Sequence, residues 1–183
     1  KGKISVPPPD TIPQKRFPRR RRRTVARKTK EMIRLFRKIT DSDATLIRKM
    51  MMEFYSSPAV LHPVPESYFD ATIREALSGS PYVDCYLLDW EGQPAGYALT
   101  AKSWSNEVGG LVVWLEEAYV REAFRGHGLG SQLLQELENT YRDAARFRLE
   151  VEEENKGAIR LYQRFGYVPL DYRQMVRECP KEK

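Results

Sequence analysis

Arg125-Gly126-His127-Gly128-Leu129-Gly130-Ser131 is the stretch whose reading decides the fold. Before it runs Leu111-Val112-Val113-Trp114-Leu115, continuing through Glu116-Glu117-Ala118-Tyr119-Val120; this apolar-rich segment reads as a strand. After it, Leu129, Leu133, Leu134, Leu137 and Tyr141 recur at helical spacing, which predicts an amphipathic helix over about 130–142. A strand, a glycine turn and a helix N-terminus in succession make an anion cradle. Backbone N–H groups converge there with few side chains in the way, and the helix dipole favours negative charge. The spacing is R-x-x-G-x-G, late in the chain, so it is not the dinucleotide fingerprint G-x-G-x-x-G; no Gly-Lys-Ser/Thr follows, so it is not a nucleoside-triphosphatase loop.

A second segment narrows the choice: Asn155-Lys156-Gly157-Ala158-Ile159-Arg160-Leu161-Tyr162-Gln163-Arg164-Phe165-Gly166-Tyr167. Together the two segments resemble the GNAT superfamily of acyl-CoA-dependent N-acetyltransferases. The first matches that family's Q/R-x-x-G-x-G/A turn, and the second its N-x-x-A-x-x-L-Y-x-x-x-G-F/Y pattern. The resemblance spans roughly residues 33–178 and is sharp over 114–168. It implies an α/β fold of GNAT type: a mixed, largely antiparallel central sheet flanked by about four helices and splayed between the fourth and fifth strands. It also implies acetyl-CoA as cosubstrate and a primary amine as acceptor, attacked directly in a ternary complex. In that picture the turn residues Arg125, Gly126, His127, Gly128, Leu129, Gly130 and Ser131 hold the pyrophosphate. The backbone of Ala118 and Val120 pairs with the pantetheine arm as with a short strand, and Asn155 adds a contact.

The remaining chain fits this layout. Ile33, Leu35, Phe36 and Ile39 predict a first strand, and Thr40-Asp41-Ser42-Asp43 supplies caps for a helix over about 43–55. Ser56-Ser57-Pro58 breaks it, and Pro63 and Pro65 lead into a helix over about 66–77. Tyr82 to Trp90 and Pro94 to Lys102 read as a hairpin, with Gly96 a candidate bulge. A strand over about 145–151, a helix over about 156–165, and one or two short strands within Tyr167–Val176 complete the order β-α-α-β-β-β-α-β-α-β.

Charge is unevenly placed. Residues 1–30 hold twelve Lys or Arg against one acid, Asp10, a net of +11; residues 31–183 hold 19 basic against 24 acidic side chains, a net of −5. Residues 1–30 read as a flexible basic arm and 31–183 as the catalytic domain. A second function class follows from the arm: a nucleic-acid- or ribosome-associated protein acting through phosphate contacts of residues 15–30, with the acetyltransferase fold secondary. No apolar run approaches a membrane span. The two cysteines, Cys85 and Cys179, form no zinc pattern, and no metal is expected; a reduced Cys85 in the core fits a cytoplasmic protein, monomer or homodimer.

Acetyl transfer from a thioester to an amine requires a deprotonated amine, a polarised carbonyl and a protonated leaving thiolate. The resemblance gives the thiolate's acid to Tyr162; packing beside Leu161 and Phe165 is the other reading of that residue. Asn155 also reads as a helix cap; the motif favours phosphate contact over an ordinary turn position for Arg125, whereas a loop histidine such as His127 is more often incidental. For the base, alternation places Glu116, Ala118 and Val120 on one strand face and Glu117 and Tyr119 on the other, barring a bulge. Glu116 and Glu150, the latter between Leu149 and Val151, are expected to face the cleft as the pair serving the amine; Glu117 is expected in solvent. Glu152-Glu153-Glu154 compensates a helix dipole or forms an acidic rim for a cationic amine. Met50-Met51-Met52 and Tyr55, with Tyr68, Trp104 and Trp114, divide between core and acceptor pocket. His62 receives no role.

Overall fold

The computed structural model describes residues 36–57, 60 and 64–179. The basic arm, Ile33 and Leu35 of the expected first strand, Pro58, His62 and Pro63 lie outside the described residues. A five-stranded sheet of order β1-β2-β3-β4-β5 runs through β1 (Phe36–Lys38), β2 (Val83–Trp90), β3 (Gln93–Ser105), β4 (Gly110–Val120) and β5 (Ala144–Leu149). All neighbours are antiparallel except β4 and β5, which are parallel. Helices α1 (Ala44–Tyr55) and α2 (Glu66–Leu77) precede β2; α3 (Leu129–Thr140) bridges β4 to β5, and α4 (Lys156–Arg164) follows β5. No helix among the described residues is long and apolar enough to cross a membrane.

Strand alternation explains why the sheet carries helices on both faces. Cys85, Leu87, Tyr97 and Leu99 pack with Ile47, Met50 and Met51 of α1 and Phe69 and Ile73 of α2. Their sequence neighbours Tyr86, Leu88 and Ala98 point the other way, against Leu133, Leu134 and Leu137 of α3. Leu161, Tyr162 and Phe165 of α4 extend that second cluster. Met50 and Met51 are therefore fully buried core residues, not a pocket wall. The entry to α1 is fixed by Asp43, whose carboxylate accepts both guanidinium nitrogens of Arg37 at 2.8 and 2.9 Å and the Thr40 amide at 2.8 Å. The Arg37 hydrogen bond holds the Asp43 carboxyl well below the usual carboxylate range.

Two expectations need correction. The extra residue of the β2–β3 hairpin is Ala95, since Leu88 faces Gly96 while Asp89 faces Pro94. Gly96 serves strand spacing instead. A Cβ there would collide with the Tyr119 carbonyl of β4, so only glycine permits this close approach. Residues 167–179 form no strand; they continue past β5 without a ladder, with Val168, Tyr172, Met175 and Val176 exposed. The short segment around Pro169 has strand-like composition, but proline and the missing alternation deny it a regular partner edge.

Replacing Gly96 by alanine forces β3 and β4 apart locally. We expect a loss of about 1–3 kcal/mol of stability, the usual cost of an overpacked site, read as a lowered urea midpoint at unchanged slope.

Candidate active site

Two irregularities in β4 create the site. The first is a bulge: Leu99 faces Glu117 and Thr100 faces Leu115, which leaves Glu116 without a partner on β3. Leu115 faces α3, and after the extra residue Glu117 and Tyr119 face α1 instead. The second is the parting of β4 from β5. Their ladder ends at Leu115 and Leu149, so Glu116 to Val120 have no strand on that flank. Arg121 gives its amide to the Ala95 carbonyl at 2.9 Å, toward β3. By alternation, the backbone groups of Ala118 and Val120 point into the open flank. The Val120 carbonyl there accepts Arg125 Nε at 3.0 Å.

The glycine turn follows directly. Gly126 and Gly128 take left-handed φ values of 83° and 79°, which side-chain-bearing residues rarely adopt, and Gly128 caps α3. Arg125 spends its amide on the Glu122 carbonyl at 3.1 Å, and Ser131 spends its own on Gly128 at 3.0 Å. Among the described residues, the amides of Gly126, His127, Gly128, Leu129 and Gly130 have no backbone acceptor outside regular elements. These five, not the Arg125 amide, are the donors left for an anion at a helix N-terminus. A cavity of about 420 Å³ lies beside them, bounded by Val120 and Arg125 on one side and by Gly157, Leu161 and Arg164 of α4 on the other. Gly130 serves a further purpose, since a Cβ there would sit 2.8 Å from the Leu161 side chain; it lets α3 and α4 close. Arg164 was missed in the sequence because a surface arginine on a helix carries no signal until the cavity shows what it faces. His127 is absent from that cavity lining; its ring packs at a tilt against Trp90, with centroids 5.2 Å apart.

Asn155 caps α4, accepting the Ala158 amide at 3.1 Å. Tyr162 packs in the α3–α4 cluster beside Tyr167, and burial raises its pKa, so the phenol keeps its proton through the neutral range. Tyr162 and Leu149 also line a second cavity of about 700 Å³ running along β5 and the segment after α4.

The carboxylates separate into two groups. Glu116 sits exposed at the bulge; its pKa is raised by partial desolvation and then by the Glu150 carboxylate, which lies just past the end of β5. The two are thus near enough to interact, as expected, although Val151 beside Glu150 is exposed and not core-facing. Glu117 departs from expectation. It is half-buried and accepts the Tyr55 hydroxyl at 2.9 Å and the Tyr97 hydroxyl at 2.5 Å on the α1 face. Burial pushes its pKa up, the two phenols pull it back, and Glu116 adds a smaller upward push. The bulge is the physical reason, and two tyrosines on other elements gave no local hint of it. Trp104 is exposed, and Trp114 carries the Arg148 guanidinium over its ring at 4.1 Å.

This combination of a β4 that outruns its parallel partner β5, a glycine turn at a helix N-terminus and a following capped helix is that of an acyltransferase fold. The chain belongs to the acetyltransferase (GNAT) family, whose model matches residues 46–167. It is 26% identical over 145 residues to a thialysine N-epsilon-acetyltransferase of Sus scrofa, covering 72% of this chain and 82% of the relative. Over 86 residues it is 35% identical to the spermine/spermidine N(1)-acetyltransferase of Bacillus subtilis, covering 44% of this chain and 56% of that protein. Among solved structures, a possible acetyltransferase from Clostridium difficile superposes with a TM-score of 0.69 at 17% identity, covering 80% of this chain and 97% of the other. An aminoglycoside N-acetyltransferase in complex with CoA superposes at 0.63 and 18% identity, covering 78% and 93%. These two structural likenesses concern the fold alone.

Because the Glu117 carboxyl has a raised pKa in the folded state, the native protein binds its proton more tightly than the unfolded chain does. Its contribution to stability therefore falls as pH rises from the ordinary carboxylate value through the folded one. Glu117→Gln should remove that loss, so the stability gap between variant and parent shifts in the variant's favour between pH 4 and pH 7, as read by urea unfolding at each pH.

Proposed function

We propose that this chain is an N-acetyltransferase that moves the acetyl group of acetyl-CoA to a primary amine by direct attack in a ternary complex. The observation carrying the reading is the continuity of two features: the open flank of β4 from Glu116 to Val120, and at its end the amides of residues 126–130, which have no backbone acceptor outside regular elements among the described residues. The first offers Ala118 and Val120 as ladder partners to an extended amide-bearing arm, and the second offers a positive cradle to a diphosphate. A pantetheine arm joined to a diphosphate has both parts in that order. Arg164 and Arg125 supply charge at the rim, and the Ser131 hydroxyl is a further donor in the same cavity lining. Asn155 holds the start of α4 so that Tyr162 and Leu161 keep their positions.

Chemistry then falls to side chains around the strand gap. An alkyl ammonium has a pKa near 10.4 and must give up a proton before it attacks. Glu116, its affinity for a proton raised by partial burial and then by Glu150, accepts that proton directly or through a water. The amine nitrogen bonds to the acetyl carbon and sheds its second proton to solvent as the carbon–sulfur bond breaks, and Tyr162 gives its proton to the departing thiolate. The phenolate recovers a proton from solvent. The relatives named for thialysine and for spermine and spermidine act on alkyl amines that bear further charge. Glu116, Glu150 and the Glu152–Glu154 run give this chain an acidic mouth that favours the same chemical class, a small or extended polycationic amine.

Calorimetry with acetyl-CoA tests the reading at its root: saturable binding is expected, and its absence in folded protein would remove the enzyme assignment. Gly128→Glu, which puts bulk and negative charge among the amides, should abolish binding. Tyr162→Phe should lower kcat by roughly 10²-fold with KM for acetyl-CoA little changed; equal turnover would strike out the acid role. Glu150→Gln removes a repulsive neighbour and so lowers the Glu116 pKa, moving the acidic limb of the kcat/KM profile to lower pH. A limb that stays in place would show that Glu116 is not the group titrating.

A further inference from the structure

We propose that Trp90 and His127 form a latch that presets the glycine turn, making both positioning residues for the diphosphate cradle; this rests on the acetyl-CoA reading above. His127 stands between two glycines of left-handed φ, and this backbone turns its side chain away from the cavity that Gly126 and Gly128 line. Its ring meets Trp90 at a centroid distance of 5.2 Å with planes inclined by 33°. Trp90 is the last residue of β2, pairing with Gln93 across the tight turn at Glu91 and Gly92.

The same hairpin grips the approach to the turn. Ala95 takes the Arg121 amide at 2.9 Å, and the Pro94 carbonyl accepts an Arg121 guanidinium nitrogen at 3.4 Å. Arg121 is in turn clamped by Glu53 of α1 at 2.9 and 3.0 Å. At its far end the turn is tied by the Ser131 and Gln132 amides, which both donate to the Gly128 carbonyl. Between these anchors Arg125 is tied to the Val120 and Glu122 carbonyls; beyond it, among the described residues, the His127 ring is the side-chain contact that holds the stretch containing the two glycines. Glycine has the most backbone freedom to lose, so an unlatched turn must order itself when the ligand arrives and binds more weakly. An aromatic pair of this geometry shifts an equilibrium by roughly 2- to 12-fold, which sets the size of the effect.

The test uses the full chain and two independent readouts. Steady-state thiol release, with acetyl-CoA varied at saturating amine, should show KM raised roughly 2- to 12-fold in Trp90→Ala and in His127→Ala, with kcat unchanged. The double variant should be no worse than either single one, because both remove the same contact. His127→Phe keeps a ring and loses the imidazole N–H, so it should behave like the parent. If His127→Phe is as impaired as His127→Ala, the imidazole touches the cofactor itself and the latch is overturned; additive single effects overturn it too. Backbone amide order parameters of residues 126–129 in the unliganded protein, from nuclear magnetic relaxation, give the second readout. They should fall in both alanine variants and not in His127→Phe, and unchanged values would sink the latch even if no acetyl-CoA turnover were found. Absent turnover with lowered order parameters would instead count against the enzymatic reading alone.

Discussion

A strand can satisfy its backbone groups on two flanks, and β4 is denied one of them for half its length. Up to Leu115 it is paired on both sides; from Glu116 to Val120 only β3 remains. Unpaired backbone groups inside a protein are costly, on the order of 1–3 kcal/mol each when water cannot reach them. A structure that keeps such a flank open must either solvate it or reserve it for a ligand. The chain does not close the gap by extending β5, because β5 stops at Leu149 and turns into the acidic segment before Asn155. What the sheet withholds from itself, the proposed cosubstrate completes.

The bulge at Glu116 is the second half of the same constraint. One extra residue swaps the faces of everything after it, so two adjacent glutamates meet different surroundings. Glu116 stays at the mouth near Glu150, where partial burial and that neighbouring charge both raise its hold on a proton. Glu117 enters the α1 side, where Tyr55 and Tyr97 replace water as donors. The phenols also suffer from the arrangement: burial and the Glu117 charge push the Tyr55 and Tyr97 pKa values upward, so both remain donors. This ties α1, β3 and β4 together beneath the place where β4 and β5 separate, and it stiffens the strand that the open flank depends on.

Much of this is legible in local patterns. The glycine turn and the Asn155–Tyr167 segment carry short-range requirements, left-handed backbone and helix capping, that survive without tertiary context. The alternation of Cys85, Tyr86, Leu87 and Leu88 likewise fixes which helices lie on which face. The features that escaped depend on distant partners. Nothing beside Glu117 in the chain announces Tyr55 or Tyr97, sixty-two and twenty residues away in sequence. His127 looked like one more cradle residue until Trp90, from another hairpin, gave its ring a place to rest. The strand expected around Pro169 failed for the opposite reason: its composition was local, but a strand exists only with a partner edge.

The cysteines bear on the order of the reaction. A covalent acyl intermediate needs a nucleophile that is ionised and accessible. Cys85 is neither, being buried among the residues packed on α1, its thiol pushed up to about 12 by that burial and then by the Glu117 charge. Cys179 is exposed, but it lies in the segment after α4, beyond the residues that form the strand gap and the glycine turn. In the proposed reaction, therefore, neither cysteine carries the acyl group, and the amine takes it directly from the cosubstrate. In the proposed mechanism the acidic mouth has two roles that pull in opposite directions: to attract the ammonium form and to take away the proton that makes the amine charged. Burial and then the Glu150 charge raise the Glu116 pKa, and the repulsive part would be relieved when either a cation or a proton arrives. On that reading, attraction and deprotonation are successive uses of one electrostatic strain at the bulge.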